Sequence, residues 1–158
     1  MGRILGGADE PNLVPRRNRP LLEDRTCDYV HPDIATAGGI LETKRIGDLA
    51  QEHNIPMFIH YAGSPIGAMA AAHVAAATEN FMALEQHSSE VEFWEDLVTG
   101  LPKPLVKNGF IEVPDKPGLG IDDVVDEVIS QHLQPGVKGI WQPTDHWDDE
   151  YSWDRTWS

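Results

Sequence analysis

Four titratable residues define the chemistry open to this chain: Glu10, Asp33, His60 and Glu85. Asp33 follows Tyr29-Val30-His31-Pro32, His60 follows Met57-Phe58-Ile59, Glu85 follows Met82-Ala83-Leu84, and Glu10 comes after Arg3-Ile4-Leu5-Gly6-Gly7. Taken singly, an acid or imidazole at the end of an apolar run is a helix cap, a solvated loop group or a satisfied histidine. One per successive unit is different, because parallel βα sheets build their sites where the carboxyl ends of several strands converge. Such a row suits proton transfer. A histidine titrates near neutral pH, and a carboxylate accepting its ring N–H fixes the tautomer, so Asp33 and His60 on adjacent strands would make a general base. A glutamate kept protonated in an apolar setting would donate a hydrogen bond to a developing oxyanion, and Glu85 suits that role. Glu10, with Asp9 beside it, would offer one oxygen to a hard divalent cation, which needs further ligands.

The elements that must position these groups follow a βα pattern. Cys27–His31, Ile55–His60 and Phe81–Glu85 have the length and apolar content of buried parallel strands, and Arg3–Gly7 is a weaker fourth. Between them, Ile40–His53 carries Leu41, Ile46, Leu49 and Ala50 near helical spacing, with Asn54 as its stop. Ile66–Thr78 is dominated by alanine, with Ser64 as the N-cap candidate and Pro65 in the first turn. Leu13–Glu23 predicts a helix broken by Pro15 and Pro20. Beyond Gly100 the prolines Pro102, Pro104, Pro114 and Pro117 end the alternation and predict irregular strands and turns, with a short amphipathic helix over Ile121–His132. The organisation expected is α/β, with residues 1–100 forming βα units and residues 101–158 an irregular C-terminal extension.

Other side chains have ordinary readings. His31 reads as a solvated loop histidine, with lining of the site mouth as the alternative, His73 as a packing residue, and His87 and Ser88 as substrate contacts or caps of a following helix. Tyr61, Ser64 and Thr36 are turn residues that would also suit hydrogen bonds to a polyol. Cys27 has no second cysteine to pair with and reads as a structural thiol. Four of the five tryptophans fall in the acidic tail after Gly139, where docking onto the domain is expected. A formal charge of −14 argues against nucleic acid and anionic membranes as partners and leaves a small molecule. Neither a bilayer-length apolar run nor a signal-peptide core is visible, which predicts a cytoplasmic protein.

Three segments together carry a family resemblance: Asp33-Ile-Ala-Thr-Ala-Gly-Gly-Ile40, Ile55-Pro-Met-Phe-Ile-His60 and Phe81-Met-Ala-Leu-Glu85. In that order they resemble the last strands of the enolase superfamily, mandelate racemase subgroup, most of all its acid-sugar dehydratases. Pro117-Gly-Leu-Gly-Ile121 resembles the segment that returns toward the family's capping domain. The resemblance implies the C-terminal half of a (β/α)8 barrel in which Mg²⁺ stabilises the enediolate formed when a base removes the proton beside a carboxylate. Residue by residue, it implies His60 as base or general acid, Asp33 as its orienting partner, Glu85 as hydrogen-bond donor to the substrate carboxylate, and Glu10 as a metal ligand, with Asp9 competing for that place. It implies a sugar acid, an aldonate or aldarate, as substrate and a homo-oligomeric full-length enzyme. It also places two further acidic ligands, a Lys-x-Lys base and the capping domain on segments outside this sequence. Three readings stand from this stage: a magnesium-dependent dehydratase whose N-terminal half is supplied separately, a racemase or epimerase on the same scaffold, and a catalytically inert truncated fragment.

Overall fold

The computed structural model describes residues 4–5, 15–137 and 139–140. Its centre is a four-stranded parallel sheet in sequential order, β1 (Ile4–Leu5), β2 (Tyr29–Val30), β3 (Met57–Ala62) and β4 (Phe81–His87). Helices α1 (Pro15–Glu23), α2 (Gly39–Glu52) and α3 (Pro65–Ala76) connect them. This is the βα alternation expected from the sequence. The helix α1 is continuous where a break was expected: Pro15 stands at its start, where no N–H is required, and Pro20 is carried inside it.

Apolar burial lies between the sheet and these helices. Met57, Ile59 and Tyr61 alternate along β3 toward the core, with Val30 from β2, and meet Ile46, Leu49 and Ala50 of α2 and Ala68, Met69, Ala71 and Val74 of α3. Thr43, Ile46 and Ala50 recur at three- and four-residue spacing, which turns one stripe of α2 inward. Alanine in α3 combines high helix propensity with a small side chain that lets the helix lie close to β3. One glycine there is needed for the same reason. A Cβ on Gly67 would stand 2.1 Å from the Tyr61 hydroxyl oxygen and 2.3 Å from its ring carbon Cζ.

Turn chemistry fixes the ends of these elements. Gly38 (φ 102°) and Gly39 (φ 75°) take left-handed conformations at the entry to α2. Asn54 (φ 57°) stops α2, as expected, while the Ile55 N–H bonds the Ala50 carbonyl. Pro65 opens α3 after Ser64, but the Ser64 side chain makes no capping bond; its carbonyl instead accepts the Tyr61 hydroxyl at 2.9 Å. Both site strands run further than the sequence suggested. Pairing of β3 with β4 continues past His60 and Glu85 to Tyr61 with Gln86 and Ala62 with His87.

After β4 the chain becomes irregular, as its prolines predict. A 3-10 turn over Trp94–Leu97 buries Trp94, whose indole N–H donates to the Gly63 carbonyl and ties the extension to the loop after β3. Short antiparallel pairs follow: β5 (Val98–Thr99) with β8 (Asp123–Val124), and β6 (Val106–Lys107) with β7 (Phe110–Ile111). The helix expected over Ile121–His132 is therefore corrected to α4 (Asp126–Gln131), because the preceding residues are held as a strand by β5. Asp9, Glu10 and the tryptophan-rich tail lie outside the described residues. No helix among the described residues is long and apolar enough to cross a membrane.

Replacing Gly67 by alanine decides between two opposed effects. A helical Gly→Ala change ordinarily stabilises by about 1 kcal/mol. Overpacking a buried site costs about 1–3 kcal/mol, and Tyr61 has little room to withdraw. Gly67→Ala should lower the denaturant midpoint; an unchanged or raised midpoint would show that the ring gives way freely.

Candidate active site

The site begins with the loop after β2. Asp33 is only 4% exposed, and its Oδ1 accepts the Ala35 N–H at 2.8 Å, the Thr36 N–H at 3.0 Å and the Thr36 hydroxyl at 3.2 Å. A short Asp side chain can fold back on the turn it starts in this way, and Ala-Thr-Ala-Gly-Gly supplies the compact turn it needs. Its other oxygen, Oδ2, faces His60 Nδ1 at 2.7 Å. Backbone register makes this meeting obligatory. The His60 N–H donates to the Pro32 carbonyl, and Asp33 and His60 form a parallel β-bridge.

The same register brings in β4. His60 stands opposite Glu85, and both point away from the helices, because Met57, Ile59 and Tyr61 take the buried face of β3. Glu85 Oε2 lies 3.0 Å from His31 Nε2, and its Oε1 lies 2.8 Å from His87 Nε2. Imidazole contacts continue the row, His31 meeting His60 edge-on with ring centroids 5.7 Å apart and His60 meeting His87 at a tilt with centroids 5.8 Å apart. Five groups thus share one open face at the carboxyl ends of β2, β3 and β4.

Their electrostatics divide the site in two. Burial is the main influence on His31 and lowers its pKa below 6.5, with Glu85 opposing that shift. Glu85 is held below the ordinary carboxylate value, first by the hydrogen bond from His87 and then by the positive pull of His31, His60 and His87. Two sequence expectations are corrected here. Glu85 is 45% exposed and anionic rather than protonated in an apolar setting. His31 is half-buried against Glu85 rather than solvated, since it extends from β2 onto the same sheet face.

Other expected residues have structural roles. Thr36 completes the Asp33 turn, and Tyr61 faces the core, where burial raises its hydroxyl pKa. His73 lies in α3 and Cys27 is buried in the core. The residue that sequence reasoning undervalued is His87. Its signal was the period of two along an extended strand, which puts Glu85 and His87 on one face. A pocket of about 320 Å³ lined by Gln51, Asn54, Asn80 and Phe81 lies at the opposite end of the sheet and is unconnected to this row.

A cation site was also expected. His60, Glu85 and His87 each offer one ligand atom, all within 4.8 Å of one another. Two imidazoles and one carboxylate do not fit Mg²⁺, which takes an octahedron of oxygens. Glu10 falls outside the described residues, so no magnesium chemistry is derived from this geometry.

A parallel βα sheet with a titratable row at its carboxyl ends is the layout of enolase-type catalytic domains, and residues 8–127 match the enolase C-terminal domain-like family model. The chain belongs to this family, in its mandelate racemase branch. It is 47% identical over 118 residues to a D-xylonate dehydratase of Haloferax volcanii, covering 75% of this chain and 28% of that protein. A mandelate racemase/muconate lactonizing enzyme-like protein from Rubrobacter xylanophilus superposes with a TM-score of 0.71 at 41% identity, over 78% of this chain and 31% of that one. An enolase from Pantoea ananatis, described with bound D-gluconate and Mg, superposes with a TM-score of 0.65 at 27% identity, over 80% and 30%. The chain thus spans about a third or less of the length of these relatives.

The two causes acting on His31 can be separated by NMR. Its ring should titrate below 6.5, and Glu85→Gln should lower the midpoint further, because the raising partner is lost while burial remains. The sign for stability follows. A depressed histidine pKa contributes fully above 6.5, and that contribution is lost as pH falls through the lowered folded value. A midpoint above 6.5, or one that rises in Glu85→Gln, would contradict this assignment.

Proposed function

We propose that this chain forms the proton-transfer half of an acid-sugar dehydratase site, on what would be the later half of a (β/α)8 barrel. The observation that carries the reading is the Asp33–His60 pair at 2.7 Å, fixed by backbone register beside Glu85. Asp33, already satisfied on Oδ1 by three donors, acts as acceptor for the His60 Nδ1–H. That fixes the tautomer and leaves Nε2 with a lone pair. His60 Nε2 is then the base that removes the proton α to the substrate carboxylate, or the acid that protonates the departing hydroxyl.

Glu85 binds the substrate carboxylate. An arriving carboxylate is a like charge, which favours the protonated form of Glu85, and protonated Glu85 donates a hydrogen bond to the oxygen where negative charge develops. Its partners His31 and His87 are exchangeable, so the substrate carboxylate can take their place at Glu85. Glu10 is proposed as one oxygen ligand of a Mg²⁺ ion completed by carboxylates beyond the described residues, and no step here depends on that ion. A sugar acid of the xylonate class is the substrate favoured by similarity to the Haloferax volcanii dehydratase. Racemisation or epimerisation would require a second base on the opposite face of the substrate, and the described residues provide this row on one face only.

A chimera tests this directly. Residues of this chain replace the matching 28% of the Haloferax volcanii enzyme. Dehydration of D-xylonate should survive, and His60→Asn in the chimera should reduce α-proton exchange by about 10²–10⁴-fold, the usual contribution of a general base. A folded chimera without activity, or retained exchange in His60→Asn, would sink the proposal. The 158-residue chain alone should bind Mg²⁺ weakly and turn over no aldonate; tight one-site binding by calorimetry would remove the need for outside ligands.

A further inference from the structure

The row that fails as a magnesium site has the donors of another kind of metal. We propose that His60, Glu85 and His87 form a binding site for a divalent transition ion of the zinc class. Two imidazoles and one carboxylate are a donor set that Zn²⁺, Co²⁺ and Fe²⁺ accept in three-ligand sites with open positions. The ligand atoms already lie within 4.8 Å of one another. A tetrahedral ion with bonds of about 2.0–2.2 Å needs them about 3.3–3.5 Å apart. Rotation of Glu85 and His87, whose side chains are 45% and 54% exposed, closes that difference without moving the sheet.

Two further features support an ion here rather than a chance grouping. The first is the buried Asp33, which holds His60 Nδ1 at 2.7 Å and leaves Nε2 as the available nitrogen. A carboxylate behind a ligating imidazole is the usual way a protein fixes the tautomer and orientation of a metal-bound histidine. The second is His31, whose Nε2 lies 3.0 Å from the second oxygen of Glu85 and gives that oxygen a partner while the first faces the ion. Asp33 and Glu85 also place two negative charges beside the imidazoles. Mg²⁺ would gain only one oxygen from the three donors, so the site discriminates against it. Binding is independent of the catalytic proposal. Where both hold, the ion occupies the nitrogen used as base, and zinc inhibits proton transfer.

The purified full chain is titrated with Zn²⁺ by calorimetry and with Co²⁺ by visible absorption, each in excess Mg²⁺. One equivalent should bind, with cobalt bands of a low-coordinate nitrogen-containing site. His87→Ala should weaken this site by more than the roughly 10–100-fold that loss of an outer-shell partner causes. His132→Ala should leave it unchanged, because His132 stacks on Phe93 and is not one of the three grouped donors. As a second reading, paramagnetic Co²⁺ should broaden the ring signals of His60 and His87 before those of His132. Equal affinity in His87→Ala and wild type, displacement by Mg²⁺, or uniform broadening of all histidines would each overturn the site.

Discussion

The Asp33–His60 contact is the constraint around which the sheet face is organised. Burying a carboxylate costs several kcal/mol unless its lone pairs are taken up, and Asp33 meets that cost with three donors on one oxygen and an imidazole on the other. The turn that supplies the donors also launches α2 through Gly38 and Gly39, so the same residues fix the carboxylate and the helix start. On the other side, the His60 N–H reaches the Pro32 carbonyl. Side-chain pairing and strand register therefore reinforce each other, and His60 has little freedom to leave its position.

A second consequence concerns the two faces of the sheet. Helices α2 and α3 cover the face carrying Val30, Met57 and Ile59, and this side is closed and apolar. Its opposite carries Tyr29, Phe58 and the titratable row, with Tyr29 and Phe58 rings 5.1 Å apart beneath the histidines. Among the described residues the outer strand β4 has a partner on one side only, and its Met82 is 63% exposed. A strand edge and an uncovered aromatic floor are features that a larger barrel would pair and enclose. On the half-barrel proposal, both would meet a further part of the barrel.

Legibility from sequence followed the range of the interactions involved. Asp33 and His60 were readable because each closes a short apolar run and adjacent parallel strands bring such ends together. His87 was hidden by ending the strand at Glu85, whereas pairing with Tyr61 and Ala62 carries β4 two residues further. Ile121, Val124, Val125 and Val128 satisfy helical spacing, yet Val124 pairs with Val98 more than twenty residues away, and that distant partner overrides the local pattern. The protonated state expected of Glu85 failed for a related reason. Its surroundings are set first by His87, on the stretch of strand the sequence reading left out, and then by His31 from another strand.

The site accordingly has a fixed part and an exchangeable part, and its chemistry depends on the difference. Asp33 is buried with all of its bonds made, so displacing it would expose an unsatisfied charge and cost several kcal/mol. Glu85 is half exposed, and ion pairs of that kind contribute about 0–1 kcal/mol each. Substrate or a proton can therefore replace His31 and His87 at Glu85 at small cost, while His60 stays aimed by Asp33. On the proposed reading, His60 as base must hold its direction while its neighbours change partners during a reaction. The division between a buried anchor on β2 and an open carboxylate on β4 provides that, and it equally leaves the row open to whichever cation binds imidazole best.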